Sequence, residues 1–385
     1  EILAELPEKV SVEVSGNIVK NVRSVLIPNT GGLKGIKAAA AAGIVAGKAE
    51  KKLEVISEVT EAQKKEIGAF LKAVPIEVRL SGTQRVFEIT IQVYAGDSHA
   101  KVCVIDSHTN IVREEKDGKI LYEKTGAGAE GEETDRSLLN VDDIIDFADT
   151  ADLDDVRDML ERQILYNSAI SREGLEKDYG ANIGRLLFKS YGSDIRQRAK
   201  AAAAAGSDAR MSGCELPVII ISGSGNQGIT ASMPVVEYAK EYAKDRESLL
   251  RAIAVSDLIA IHLKSGIGRL SAYCGVVSAG AAAGAGIAYL EGGDRKAIEH
   301  TIVNALAIVS GIVCDGAKPS CAAKIAAAVD AGIFGYEMYK NGNQFYGGDG
   351  LIAKGVENTI KIISRLGKEG MKETDKEIIQ IMLEE

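Results

Sequence analysis

Residues 270–290 read LSAYCGVVSAGAAAGAGIAYL, an uncharged run of 21 residues. Its length would span a bilayer. Its content argues otherwise: alanine and glycine give little drive into lipid, Lys264 and Arg269 precede the run, and Glu291 follows it. The run therefore predicts a buried helix over 268–290 in a fold that does not enter the membrane. Gly275, Gly280, Gly284 and Gly286 lie inside that helix. Each interior glycine costs about 1 kcal/mol relative to alanine, about 4 kcal/mol together. Close approach of neighbouring helices is the simplest compensation, and the flanking sequence reads as helical on both sides.

Upstream, helical patterns cover 141–150, 153–174, 180–205, 232–244 and 247–264. Downstream they cover 295–314, 320–332, 351–366 and 374–384. No solenoid period links them. Residues 124–137 (KTGAGAEGEETDRS) are rich in glycine and acid and lack apolar periodicity. Before that stretch, strands outnumber helices. KVSVEV (9–14) alternates in the strand manner, and 22–27 is a short β-rich run ending at Pro28. Further strands are expected at 76–80, 86–94, 100–106 and 111–115, with a return strand at 119–123 after the Asp117–Gly118 turn. Helices are expected at 36–46 and at 60–73, the latter capped by Thr60. The fold class is α+β. It has a small mixed α/β domain over 1–125, an acidic glycine-rich linker over 126–137, and a mainly helical domain over 138–385.

With 385 residues there is ample material for such a core. The 46 basic residues against 55 acidic ones leave a net charge of −9, the wrong sign for a nucleic-acid partner. Aromatic residues at 5% are too few for a single-strand stacking platform. No membrane partner is expected, and a homo-oligomer is left open. Five cysteines, an odd and small number, point to a reduced cytoplasmic compartment and not to a disulfide scaffold. The chain opens without Met on a charged stretch, which predicts residues upstream and no secretory leader.

Two glycine-rich loops carry candidate chemistry. PNTGGLKG (28–35) leads into an alanine-rich helix, and SGSGNQG (222–228) follows the apolar run 216–221. Neither ends as a P-loop does. The second has GxGxxG spacing, without the βαβ unit and later acid of a dinucleotide site. Converging backbone N–H groups beside a helix N-terminus suit a carboxylate or phosphate; an empty tight turn is the plainer alternative. Cys274, Cys314 and Cys321 place two thiols around one short loop and a third on an expected antiparallel neighbour. They read as cluster ligands, as zinc ligands, or as ungrouped core cysteines. Cys103 reads as a core residue, and Cys214 has no partner pattern. His99, His108, His262 and His300 read as structural. Arg196, Arg198 and Lys200 read as a solvated helix face. The nucleophile elbow, the zinc-protease helix and the kinase motifs are all lacking.

SGSGNQGITASMPVVEYAK (222–240), KSGIGRLSAYCG (264–275) and CDGAKPSCAAKIAAAVDA (314–331) together resemble the L-cysteine desulfidase family, within the iron–sulfur L-serine dehydratase alpha-chain superfamily. SGNIVKNV (15–22), IPNTGGLKGI (27–36) and DSHTNI (106–111) resemble it too, so the likeness covers nearly the whole chain. The resemblance implies a lyase without pyridoxal phosphate. It would take L-cysteine or L-serine by α,β-elimination to pyruvate, ammonia, and sulfide or water. It implies a [4Fe-4S] cluster held by three cysteines with one iron open to the leaving group. Carried over, Cys274 and Cys314 match the two later cluster ligands. The family's first ligand belongs to a Gly-Cys-Thr-Glu-Pro motif upstream of residues 15–22. The present sequence begins after the place of that motif, so the resemblance puts the first ligand upstream of residue 1, with Cys321 as the substitute third thiol if the motif is lacking; with no third ligand the enzyme would be inactive. Ser222, Gly223, Ser224, Gly225, Asn226 and Gln227 would hold the substrate carboxylate, with Asn29 and Thr30 assisting. Lys318 and Asp315 stand as catalytic candidates, Lys318 for carboxylate binding or proton transfer. The alternative function is a catalytically silent small-amino-acid-binding protein of the same fold, and a zinc-stabilised structural protein is a third.

Overall fold

The computed structural model describes residues 2–83, 85–124, 134–268 and 270–384. The chain forms a mainly helical α+β protein that divides into two compact units. The first comprises Glu1–Thr134, Asp315–Ala317 and Lys376–Glu385; the second comprises Asp135–Cys314 and Lys318–Asp375. Most of the stretch expected as a linker, residues 125–133, lies outside the described residues.

The first unit starts with β1 (Lys9–Val14), α1 (Gly16–Val22), α2 (Gly35–Ala46), α3 (Glu61–Ala73) and β2 (Ile76–Leu80). It continues with β3 (Glu88–Ala95), β4 (Ser98–Ile105), β5 (Ile111–Lys116) and β6 (Lys119–Glu123). Among the described residues the strands form one sheet in the order β2-β1-β3-β4-β5-β6. Only β1 and β2 run parallel, because three helices supply the long crossover that a parallel pair requires. Val10, Val12 and Val14 of β1 are buried and alternate with Ser11 and Glu13, as a one-faced strand does. Thr60 and Gln63 close a reciprocal capping box at the start of α3. The β-rich run expected at 22–27 forms no strand. It makes an isolated bridge between Leu26 and Lys34, because the turn at Asn29 to Gly32 returns the chain at once.

The second unit is α4 (Val141–Thr150), α5 (Arg157–Glu176), α6 (Ile183–Tyr191), α7 (Ile195–Met211), α8 (Gly225–Glu241), α9 (Arg246–Ile267), α10 (Gly275–Leu290), α11 (Arg295–Val309), α12 (Cys321–Lys340) and α13 (Val356–Arg365). A last helix, α14 (Lys372–Glu384), starts in this unit and ends in the first, where Ile379 presses on Gly16. The helix expected over 180–205 is two helices. Gly192 adopts φ +85°, and Asp194 then caps α7 by accepting from the Gln197 amide. The helix expected from 268 starts at Gly275, since residues just before it are extended. None of the helices among the described residues is long and apolar enough to cross a membrane.

α10 runs through the centre of the helical unit, buried along its length. Its glycines are contact points. Gly280 lies against the Ala328 backbone of α12, and a Cβ there would sit 2.5 Å from the carbonyl. Gly284 meets Gly332 in the same way, with the Gly332 oxygen at 2.5 Å. Backbone therefore touches backbone along this crossing, which gives back through packing what the glycines lose in helix propensity. The face of α7 expected to be solvated is tied down instead. Arg196 Nε and Lys200 Nζ donate to Asp330 Oδ1 of α12 at 3.0 and 2.9 Å, and Arg198 pairs with Glu241.

One buried carboxyl sits apart from these contacts. Asp257 of α9 is 7% exposed and accepts from Gln163 Nε2 at 2.9 Å, and burial pushes it up to about 7. The acid is raised above its unfolded value, so the folded state holds the proton more tightly. Its stabilising contribution is complete below about pH 4 and is lost as pH rises through about 7. Asp257→Asn keeps the acceptor oxygen and removes the ionisation. It is expected to be about 3–4 kcal/mol more stable than the parent at pH 8 and close to it near pH 3.5. Urea midpoints at the two pH values check this; an equal offset at both would rule out the linkage.

Candidate functional site

Two extended segments bring the first pair of thiols together. Tyr273 and Val313 form an antiparallel bridge. The Cys314 amide donates to the Ala272 carbonyl at 2.6 Å, and the Cys274 amide to the Ile312 carbonyl at 3.2 Å. Cys274 thereby becomes the N-cap of α10, and Cys314 lies beside it. The two thiols share a hydrogen bond. Cys321 opens α12, its amide donating to the Lys318 carbonyl at 2.9 Å. Its thiol is coupled electrostatically to Cys314 and to Cys274. The Lys324 ammonium, one turn along α12, donates to the Val313 carbonyl at 2.9 Å and locks the cysteine loop to the helix.

The thiols resist ionisation. The hydrogen bond from Cys314, and then burial, push Cys274 well above the ordinary thiol range, with the Val276 amide opposing. Burial pushes Cys321 up, against the Lys318 amide and the charges of Lys324 and Lys318. Such thiols become thiolates when a cation arrives to replace the lost solvation. Two of them sit at helix N-termini, where the partial positive charge favours the anion. Among the described residues no group of three or more His, Cys, Asp or Glu side chains converges as a single metal ion requires. A cluster makes a different demand, because its cysteines bind separate irons and stand apart. Cys274, Cys314 and Cys321 are a thiol-only set, the donor chemistry of an iron–sulfur site, with one hydrogen-bonded pair and one neighbour.

The second glycine-rich loop lies at the same place. It was expected to precede a helix starting near residue 232; instead Gly225–Gly228 is the first turn of α8. Ser222 (φ +49°) and Gly223 (φ +78°) turn the chain, and Ser224 Oγ caps α8 by accepting from the Gln227 amide. Gln227 is 5% exposed, and its carboxamide lies across Gly275. A Cβ on Gly275 would come within 2.6 Å of Gln227 Cδ, so a larger residue at 275 would push this carboxamide from its place next to Cys274. Gln227 Oε1 is buried with no hydrogen-bond partner among the described residues, as is Ser222 Oγ. Asn226 Oδ1 accepts from Arg210 Nη1 at 3.3 Å. Arg210, on the last turn of α7, was not a sequence candidate. Nothing in SDARMSGC sets it apart from a helix-ending basic residue.

The other candidates are placed as follows. Asn29 and Thr30 lie in the first unit. There Thr30 Oγ1 donates to the Ile27 carbonyl at 2.7 Å and Asn29 Nδ2 to the Ile56 carbonyl at 3.1 Å. Asp315 belongs to that unit as well, in a short strap with Gly316 and Ala317. Gly316 has φ +96° and rests on the Lys20 carbonyl of α1, leaving no room for a Cβ. Lys318 is in the second unit, next to Cys321. The second unit thus assembles Cys274, Cys314, Cys321, Lys318 and residues 222–227.

Comparison with known proteins shows the family. The model of the serine dehydratase alpha chain matches residues 50–380. The chain is 62% identical over 386 residues to a UPF0597 protein of Desulfitobacterium hafniense, covering 100% of this chain and 89% of that one. It is 50% identical over 383 residues to a UPF0597 protein of Lachnoclostridium phytofermentans, covering 100% and 92%. A third UPF0597 protein, from Finegoldia magna, is 49% identical over 387 residues, covering 100% and 92%.

Proposed function

The chain belongs to the serine dehydratase alpha-chain family, and on that premise we propose that it is an iron–sulfur-dependent, pyridoxal-phosphate-independent lyase acting on L-cysteine or L-serine. The observation that carries this reading is the packing of Gln227 over Gly275, which joins a loop suited to a carboxylate to the Cys274–Cys314 thiol pair. Cys274, Cys314 and Cys321 would hold a [4Fe-4S] cluster, which when bound supplies a Lewis acid for the departing thiol or hydroxyl.

The chain's own residues do the rest. The free amides at the start of α8, with Asn226, orient the substrate carboxylate. Gln227 Oε1, buried and unsatisfied, accepts a hydrogen bond from the substrate ammonium. Lys318 takes the α-proton as the C–S or C–O bond breaks. The electron pair of the C–H bond forms the C=C bond of aminoacrylate, and the leaving group takes the proton back from the Lys318 ammonium and departs as hydrogen sulfide or water. Tautomerisation and addition of water then give pyruvate and ammonia. Burial of Cys274 and Gln227 keeps bulk water from this point.

Anaerobic reconstitution with iron and sulfide, followed by assays of pyruvate and sulfide, tests the reading. Pyruvate is expected from one or both amino acids. Its absence from both, in protein that has taken up iron, would sink the lyase and leave the amino-acid-binding alternative. Lys318→Ala is expected to lower kcat by about 10²–10⁴-fold with little change in KM.

A further inference from the structure

The arginines of the second unit fall into two groups, with one exception. Among the described residues, Arg196, Arg198, Arg246, Arg251 and Arg295 pair with carboxylates, as do Arg157 and Arg185. Arg136, Arg162, Arg172 and Arg365 are exposed. Arg210 is neither exposed nor paired with a carboxylate. Its guanidinium lies over Gly225, where a Cβ would sit 2.5 Å from Nε, and Val218 walls the same point. The structure gives it one hydrogen bond, to Asn226, out of the five N–H groups that a guanidinium carries. A charge withdrawn from water without a counter-ion is strongly disfavoured, and such a group is kept where an anion will arrive.

The place fits an anion in two further ways. The first turn of α8 lies directly beside Arg210; its Gln227 and Gly228 amides are bonded to Ser224, which leaves those of Gly225 and Asn226 for an anion. Gln227, the next residue after the arginine's partner, is 5% exposed with Oε1 unsatisfied, so a polar ligand is missing from its surroundings also. Arg210 also feels the charge of Cys321, which places it on the thiol side of the loop.

We infer that Arg210 anchors the carboxylate of an α-amino-acid ligand and thereby sets the specificity of this site. The inference rests on the proposed lyase only for the ligand's identity as a small amino acid. A planar fork meets a carboxylate with two parallel N–H···O bonds, which the amides of α8 extend. An amine lacking the carboxylate would leave the guanidinium buried and unpaired, so ethanolamine and cysteamine are excluded while L-serine and L-cysteine are admitted.

The test uses the full chain with four probes, L-serine, L-cysteine, ethanolamine and cysteamine, and two variants, Arg210→Met and Arg210→Lys. Thermal shift and calorimetry read binding without turnover. The amino acids are expected to raise the melting temperature of the parent, and the amines are not. Arg210→Met is expected to weaken amino-acid binding about 10- to 100-fold, with Arg210→Lys between. Ligand-free Arg210→Met is expected to melt no lower than the parent, since an unpaired buried charge has gone; a structural arginine would lower it. In active protein the loss falls on KM more than on kcat. Undiminished amino-acid binding by Arg210→Met overturns the inference whether or not pyruvate is made, as does a parent that binds amine and amino acid alike or binds neither amino acid. Carboxylate-dependent binding that needs Arg210, without pyruvate, overturns the lyase and leaves Arg210's role standing.

Discussion

Gly332→Ala is expected to destabilise the chain by about 3 kcal/mol or more, lowering its melting temperature by several degrees. The new Cβ would collide with the Gly280 carbonyl oxygen and crowd the Gly284 amide at 3.2 Å. The gain in helix propensity, about 1 kcal/mol, is too small to offset a clash between backbones. Relief requires α10 and α12 to part. Those helices begin at or beside Cys274 and Cys321, so parting them also moves the thiols. The variant is therefore expected to bind less iron on reconstitution even where it remains folded. Urea unfolding and iron per chain check the two effects. A variant within about 0.5 kcal/mol of the parent would show that the crossing is not the constraint.

The second large effect concerns the thiols. Cys314→Ala is expected to abolish iron uptake on reconstitution and to lower pyruvate formation roughly a thousandfold or more. Ligand-free stability should change little, because the loss is one thiol hydrogen bond in a partly buried position. Cys321→Ala is the sharper experiment, since it asks whether this thiol is the third ligand. Retained iron in that variant would place the third ligand elsewhere. Cys103→Ala is the control. That thiol lies on β4 and accepts from Thr90 Oγ1 at 3.4 Å, in a separate part of the chain, and its replacement is expected to leave iron content unchanged.

Periodicity was enough to read the helical character of residues 138 onward and the glycine-tolerant burial of α10. The signals involved are local, repeated every turn. The break at Gly192 escaped the same reasoning because the amphipathic sequence before it and the alanine-rich sequence after it both carry helical spacing. The start of α8 was hidden for a related reason: glycine and asparagine disfavour helices, yet here Gly225 and Gly228 serve close approach, Gly228 to the Ile219 carbonyl. The thiol grouping was legible only through its spacing and the family likeness. What joins Cys274 to Cys314 is the bridge between Tyr273 and Val313, a contact without any local signature. Arg210 lay beyond reach altogether. Its interest is the carboxylate it does not have, and a missing partner is a property of a packed structure.

The division of the chain also bears on how it is made. The first unit takes α1 and the sheet from residues 9–123, and Ile379, which covers Gly16, from about 250 residues further along the chain. A ribosome delivers the sheet long before it delivers that cover. The nascent first unit therefore waits with the surface at Gly16 open while the entire helical unit emerges. The Asp315–Ala317 strap reaches its seat on Lys20 only after α4 to α11 have emerged. Its two flanking residues are Cys314 and Lys318, so part of the candidate site is joined to a segment that follows most of the helical unit in synthesis.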